Sequence, residues 1–452
     1  MAQQQTACRG VTRPRTLRDS LRNFLTPALF KQAHSACPRR RRPPRWALQP
    51  LVLVLLCLTW ANGDSTAERF ETAKGFVAAC LPKRRRPGRT VQGFHQALAR
   101  LPLPVLRAVA SGVRAALLRW LAPCWHVAGF VPLGCDGTRL ECPRSAALER
   151  HLGQAGKPGA APTLWLTALV HLRLGVPWAW RWGQGTASER AHLRQLLPQL
   201  PPEALVVADA GYVGYDLLRT LRQQRVSFLI RMSCQATFYS ERGTRVERFR
   251  DGRVYYWPPA KHKGSSACLP LPVRLLRVRP AKGGRDVWLA TNVLDKKRLS
   301  LAQAARFYRL RWESEGFFRT YKRTLAKVKL QSRTVRLVHR EAEGAMLAAQ
   351  LLLAQGALAL RPRTAGAATP ACSARKVLVA IREELQAARP RRPKAFGARL
   401  AAARREQRPR RSAKEKRVWP RRAPHQPPKP PRLLTLGPEE KARILRHQTA
   451  PD

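Results

Sequence analysis

The chain has 452 residues, 44% of them hydrophobic, and sets 85 Lys and Arg against 27 Asp and Glu for a formal charge of +58 at pH 7. That apolar share supports two or three domains and at least one sizeable core, which excludes a solvated polycation as a description of the whole. The charge excludes an ordinary metabolic enzyme, because self-repulsion on this scale is tolerated when the partner is a polyanion, and nucleic acid is the commonest one.

An anionic membrane surface is the competing partner, yet no basic amphipathic anchor dominates the sequence. The 10 cysteines include no CxxC pair, and no Cys/His group has zinc spacing. Free thiols in a reducing compartment, the cytoplasm or nucleoid, are the simplest expectation.

Residues 1–45 are polar and rich in Arg and Pro, and are expected to be a disordered basic N-terminus. "WALQPLVLVLLCLTW" (46–60) follows "RRRRPPR" and imitates the charged and apolar regions of a leader. It begins only at residue 46 and is too short to span a bilayer, so it predicts a buried helix. "STAERFETAKGFVAAC" opens a second helix with a Ser65/Glu68 capping box. A basic loop, "PKRRRPGRT", and two apolar helical patterns through Trp120 complete a small helical domain over 46–125.

From residue 126 the texture changes. "HVAGFVPLGCDGTRL" reads as a strand closing at Cys135-Asp136-Gly137. "TLWLTALVHL" (163–172) and "VPWAWRW" (176–182) should pair as a hairpin. "TASERAHLRQLL" is a helix with Thr186 and Glu189 as its capping box. "EALVVADAGY" (203–212) gives a fully buried strand with Asp209 at its exit, then a helix, then the buried strand "VSFLIRM" (226–232). Residues 233–288 hold short, polar-alternating strands and form a β-rich insertion. A long helix over 300–330 and an apolar helix over 337–360 follow, and 361–452 is a basic, Arg/Pro-rich, solvated tail.

The stretch "FYRLRWESEGFFRTYK" (307–322) places two scarce carboxylates among arginines and aromatics. On a helical wheel at about 100° per residue, Tyr308, Arg311, Glu315 and Lys322 fall within about 60° of one another. Arg319 and Trp312 flank that stripe, and Glu313 lies about 140° from Tyr308. Taken alone, Arg311–Glu315–Arg319 would be a ladder of i,i+4 ion pairs worth a few tenths of a kcal/mol each.

It does not stand alone. Asp136 and Asp209 each close a predicted strand and each precede a glycine within two residues. Strand ends of α/β sheets are where ligands and catalytic groups collect. Two aspartates and a glutamate supply hard oxygen ligands that suit Mg²⁺ or Mn²⁺. Two such ions about 3.5–4 Å apart can clamp the attacking and leaving oxygens of an in-line phosphoryl transfer.

The pattern Y-x-x-R-x-x-x-E-x-x-x-x-x-x-K, here Tyr308, Arg311, Glu315 and Lys322, resembles without a gap the signature of the DDE transposases of the insertion-sequence-four group. "GCDGTR" and "VVADAGY" are similar to that group's two aspartate motifs, and the resemblance covers roughly 125–355. It implies an α/β (α+β) fold: an RNase H-like mixed sheet flanked by helices (126–232 and 289–360), with the insertion before the last catalytic helix.

The resemblance also implies a metal-binding catalytic triad of Asp136, Asp209 and Glu315, and transposon-end DNA held by Tyr308, Arg311, Arg319 and Lys322. Two Mg²⁺ or Mn²⁺ ions would serve cleavage of terminal inverted repeats and joining of the 3′-hydroxyl to target DNA. A homodimer in a synaptic complex and no membrane association are the matching expectations. By the same analogy, 46–125 would bind the DNA ends. Some relatives hold a flipped base on an aromatic of the insertion, for which Trp257 and Trp288 are candidates, core packing being the simpler account. An RNase H-like nuclease that cuts without joining, and an inactive DNA-binding relative, are the alternatives. Many neutralised phosphates would make DNA affinity fall steeply with salt.

Overall fold

In the computed structural model, residues 14–35, 46–153, 159–241, 245–257, 269–279, 286–362, 371–387, 394–406 and 429–448 are described. They divide into two units. The first draws on Met1–His126, Gly137–Ala187 and Glu313–Glu406, and the second on Val127–Asp136, Ser188–Trp312 and Gln407–Asp452.

The first unit is helical around one buried rod. Its N-terminal helices are α1 (Leu17–Arg22), α2 (Pro27–Ser35), α3 (Leu48–Trp60), α4 (Thr66–Cys80), α5 (Val91–Arg100) and α6 (Leu103–Trp125). Two β-strands and further helices follow, and α12 (Val335–Ala359) is the rod that α3, α5 and α6 pack against. α3 is apolar on every side, as a helix buried all round must be. Gly344 of α12 lets it approach closely, since a Cβ there would stand 2.5 Å from Leu55. The Trp60 indole then donates to the Ala348 carbonyl at 3.2 Å. Among the described residues α12 alone is long and apolar enough to cross a membrane, and 94% of its apolar window is buried inside the fold.

Two carboxylates on α12 respond differently to burial. Glu343 accepts from the Trp180 indole at 2.6 Å and from Arg107 at 3.2 Å, yet burial pushes its pKa up. At Glu341 burial pushes the same way, but Lys327 at 2.9 Å and the Gln331 and Ser332 amides outweigh it, and the pKa falls below 4.5. A depressed carboxylate stabilises the fold above its unfolded pKa and loses that contribution as pH falls through the folded one. Glu341→Gln should therefore cost about 1–3 kcal/mol at pH 7. In thermal melts the gap to wild type should close as pH falls below 4.5; a gap independent of pH would contradict the assignment.

The second unit is built on a sheet. β1 (Val131–Glu141) pairs in parallel with β4 (Ala204–Ala208), and β4 with β5 (Ser227–Arg231). β4 is buried along its whole length, the mark of a parallel strand covered on both faces. β5 continues antiparallel into β9 (Val287–Thr291), then β8 (Leu271–Val278), β7 (Asp251–Tyr256) and β6 (Thr237–Ser240). The insertion thus extends the catalytic sheet. β1 is common to both units. In the sheet order β1 neighbours β2 (Thr163–His171), which pairs antiparallel with β3 (Pro177–Gln184). The order β3-β2-β1-β4-β5 is that of an RNase H-like mixed sheet.

Several expectations change. Residues 14–35, expected to be disordered, form α1 and α2, because Leu17, Leu21, Phe24, Leu29 and Phe30 make a buried face that the average polarity hid. Thr16 caps α1 by accepting from the Asp19 amide. Parts of the C-terminal tail are also built in. α13 (Ala374–Gln386) and α14 (Lys394–Ala401) close the first unit. β10 (Arg432–Thr435) pairs in parallel with β6, and α15 (Pro438–Gln448) follows it. Leu436 and Ile444 are buried in a cluster with Tyr239, Tyr255 and Trp257. Residues 363–370, 388–393, 407–428 and 449–452 of the tail, and residues 1–13 and 36–45, lie outside the described residues. "RVERFR" forms a single 3-10 turn, Val246–Arg248, instead of a strand.

Candidate active site

β1 runs on to Glu141, so Asp136 stands inside the strand and not at its end. The ladder with β4 stops at Gly134↔Val207, and the same register carried two residues further sets Asp136 opposite Asp209. The β4–β5 register, Ala208↔Ile230, carried one residue further sets Arg231 opposite Asp209. Adjacent strands are about 4.8 Å apart and residues in one row face the same side, so Asp136, Asp209 and Arg231 form a row. Asp209 also shapes the turn after β4, its Oδ1 accepting from the Gly211 amide at 2.9 Å.

A cationic wall flanks this row. Tyr308 lies near the end of α10 (Leu301–Leu310), whose Ser300 and Gln303 make a reciprocal capping box. Arg311 follows, 7% exposed, with Nη1 3.6 Å from Asp136 Oδ2. Its guanidinium lies 5.8 Å from the Tyr308 ring and 5.0 Å from the Trp312 ring. Burial pushes the Tyr308 phenol up, opposed by the charges of Arg311 and Arg231, both hydrogen-bonded to it. Trp312, by contrast, is 60% exposed.

The expected single helix over 300–330 is interrupted at both cationic signature positions. Arg311 separates α10 from α11 (Trp312–Arg319), its amide donating to the Tyr308 carbonyl at 3.1 Å. Lys322 lies in a π turn, Thr320–Thr324, closed by the Leu325 amide on the Thr320 carbonyl. Such turns concentrate at functional sites. Here the turn places Tyr321, fully buried, near Trp182 and Phe317. The wheel assumed an unbroken helix, from which the π turn at Lys322 departs. Burial lowers the Lys322 pKa.

The second unit brings Asp136, Asp209, Tyr308 and Arg311 into one region, while Glu315, Arg319 and Lys322 belong to the first. Glu313 is accounted for within the first unit by an ion pair to Arg405 at 2.8 Å, with side chains 33% and 50% exposed. Trp257 and Trp288 are buried in the insertion at 2% and 6% exposure, against Tyr239 and Phe249 respectively, so packing explains both.

Two residues were missed by sequence reasoning. Arg231 closes an apolar strand, a basic residue where "VSFLIRM" offered only burial. Glu189 opens α8 (Glu189–Leu196) behind the N-cap Ser188, two residues later than the expected cap Thr186. A Cβ on Gly211 would meet Asp209 Oδ1 at 3.0 Å and Glu189 Oε2 at 3.9 Å, so both carboxylates crowd the turn. Burial raises the Cys135 and Tyr212 pKa values, and the Glu189 and Asp136 charges push the same way.

Among the described residues no three His, Cys, Asp or Glu gather closely enough to hold a metal ion. Asp136 and Asp209 each lie two residues past the last paired positions of the β1–β4 ladder, and such hard oxygen donors are the chemistry that Mg²⁺ or Mn²⁺ accepts, so this part of the donor set fits such an ion.

The transposase DDE domain family matches residues 135–351. Over 360 residues the chain is 26% identical to the transposase InsG for insertion sequence element IS4 of Escherichia coli strain K12, covering 74% of this chain and 77% of that protein. Among solved structures it is similar to the piggyBac transposase in a synaptic complex with hairpin DNA, at a TM-score of 0.42 and 11% identity, covering 89% of this chain and 87% of that one. Residues 135–351 thus match the transposase DDE domain, and over most of its length the chain is similar to a transposase of the insertion-sequence-four group.

Proposed function

We propose that this transposase cleaves transposon ends and joins the freed 3′-hydroxyl to target DNA, with Asp136, Asp209 and Glu315 as its catalytic carboxylates. The observation that carries this reading is the Arg311–Asp136 ion pair, with Arg231 and Arg311 both bonded to the Tyr308 hydroxyl beside it. The three carboxylates would hold two Mg²⁺ or Mn²⁺ ions. When bound, such ions activate the attacking oxygen and stabilise the leaving one.

The residues of the chain divide the remaining work. Tyr308, Arg311 and Arg231, with Arg319 and Lys322, grip the phosphates that flank the scissile bond; arginine offers a planar fork and lysine a point charge. In the first step water attacks the phosphodiester at the element's end, and the 3′-oxygen leaves as a hydroxyl. In the second, that hydroxyl attacks a target phosphodiester, a new P–O bond forms, and a target 3′-hydroxyl is released. The substrates are double-stranded terminal inverted repeats and target DNA, held by a homodimer in the cytoplasm at the nucleoid, with residues 46–125 binding the ends.

Pre-cleaved ends incubated with target plasmid and Mg²⁺ should give joined product. Cleavage of intact ends without any joining would favour an RNase H-like nuclease. Neither activity, with DNA binding retained, would favour an inactive relative.

A further inference from the structure

We infer that Arg311 is a counter-ion switch: in the DNA-free protein it neutralises Asp136, and a DNA phosphate must draw it away before the carboxylate can take a divalent cation. This rests on the reading of Asp136 as a metal-holding carboxylate. Three observations converge on it. Arg311 Nη1 is 3.6 Å from Asp136 Oδ2, so a cation approaching that oxygen loses part of its attraction and meets a positive charge at close range. At 7% exposure the guanidinium cannot simply retire into solvent. Its other neighbours include the Tyr308 hydroxyl, which also bonds Arg231, and the flanking rings of Tyr308 and Trp312.

The surroundings give Arg311 a second destination. A guanidinium carries five donors in a fixed fork and matches a phosphate as well as a carboxylate. Arg231 and Arg311 share the Tyr308 hydroxyl, so a phosphate arriving there would meet two guanidinium groups at once. Arg311 stands at the junction of α10 and α11 in a helical backbone conformation, so its long side chain can swing from the carboxylate to a phosphate by rotation about its own bonds. Cleavage would then await DNA because the carboxylate site stays electrostatically closed until the phosphate arrives.

The test is Mn²⁺ binding to the full chain without DNA, followed by the electron-spin resonance of free Mn²⁺. Wild type should bind weakly. Arg311→Met should bind at least about tenfold more tightly although it loses the DNA grip, a gain worth about 1.4 kcal/mol. Arg311→Lys, which keeps the charge, should remain as weak as wild type, and adding Asp136→Asn to Arg311→Met should erase the gain. Arg311→Gln serves the same purpose if the methionine variant does not fold, which circular dichroism will reveal. Equal affinity in wild type and the folded neutral variant overturns the switch, while a loss of binding in Asp136→Asn alone would leave the metal reading standing. A gain that survives Asp136→Asn overturns the metal reading instead.

Discussion

Glu315→Gln is expected to abolish strand cleavage and joining, while Glu313→Gln stays within a few-fold of wild type. The two carboxylates share α11 and are two residues apart, so a general disturbance of the helix would affect both. They differ in the role proposed for them. Glu313 is committed to Arg405 in a partly exposed pair, which is worth about 0–1 kcal/mol and has no part in chemistry. Glu315 is the proposed third carboxylate of the triad, and glutamine keeps its size and removes the charge a metal ligand needs. Loss of even an outer supporting group costs about 10–100-fold at metal sites, so loss of a ligand should exceed that. Cleavage of an end-labelled duplex, scored beside gel-shift binding, separates the effects. Glu315→Gln with intact cleavage would remove it from the triad, and Glu313→Gln with abolished cleavage would make the Arg405 pair functional.

The sequence made the carboxylates legible because scarcity isolates them: 27 acids among 452 residues leave few candidates at strand ends. It made the buried strands legible because "ALVVA" and "FLI" need no partner to be read as two-sided burial. It could not show that Asp136 and Asp209 lie in one row, since register depends on pairing between strands far apart in the chain. Arg231 was invisible for the same reason. The breaks at Arg311 and in Thr320–Thr324 escaped because helical periodicity assumes a constant turn. The helices at 17–35 and the strand at 432–435 escaped because charge dominates their composition, while a few buried side chains such as Phe24 and Phe30, or Leu436 just beyond the strand, decide their structure.

Asp251→Asn should be the most destabilising conservative substitution in the insertion. "VRLLRVRP" belongs to the polar-alternating strands expected of the insertion, and its Arg274 is 1% exposed. Its Nε and Nη2 donate to the two Asp251 oxygens at 2.6 Å each, and its Nη1 donates to the Leu299 carbonyl at 2.6 Å. Removing one member of a buried ion pair leaves the other charge stranded, at a cost of about 3–5 kcal/mol, whereas replacing both with apolar residues is often neutral. Asp251→Asn should accordingly lower Tm by about 10 °C, and Arg274→Met combined with Asp251→Leu should recover most of the loss. The double cycle measures coupling directly. A fall of less than about 2 °C in the single variant would mean that the pair is far better solvated than its burial implies. The consequence reaches the site through Leu299, which precedes the Ser300 cap of α10, the helix that carries Tyr308 and leads into Arg311. Asp251→Asn should therefore also loosen DNA-end binding at temperatures well below its own melting, as the start of α10 loses the guanidinium that holds it.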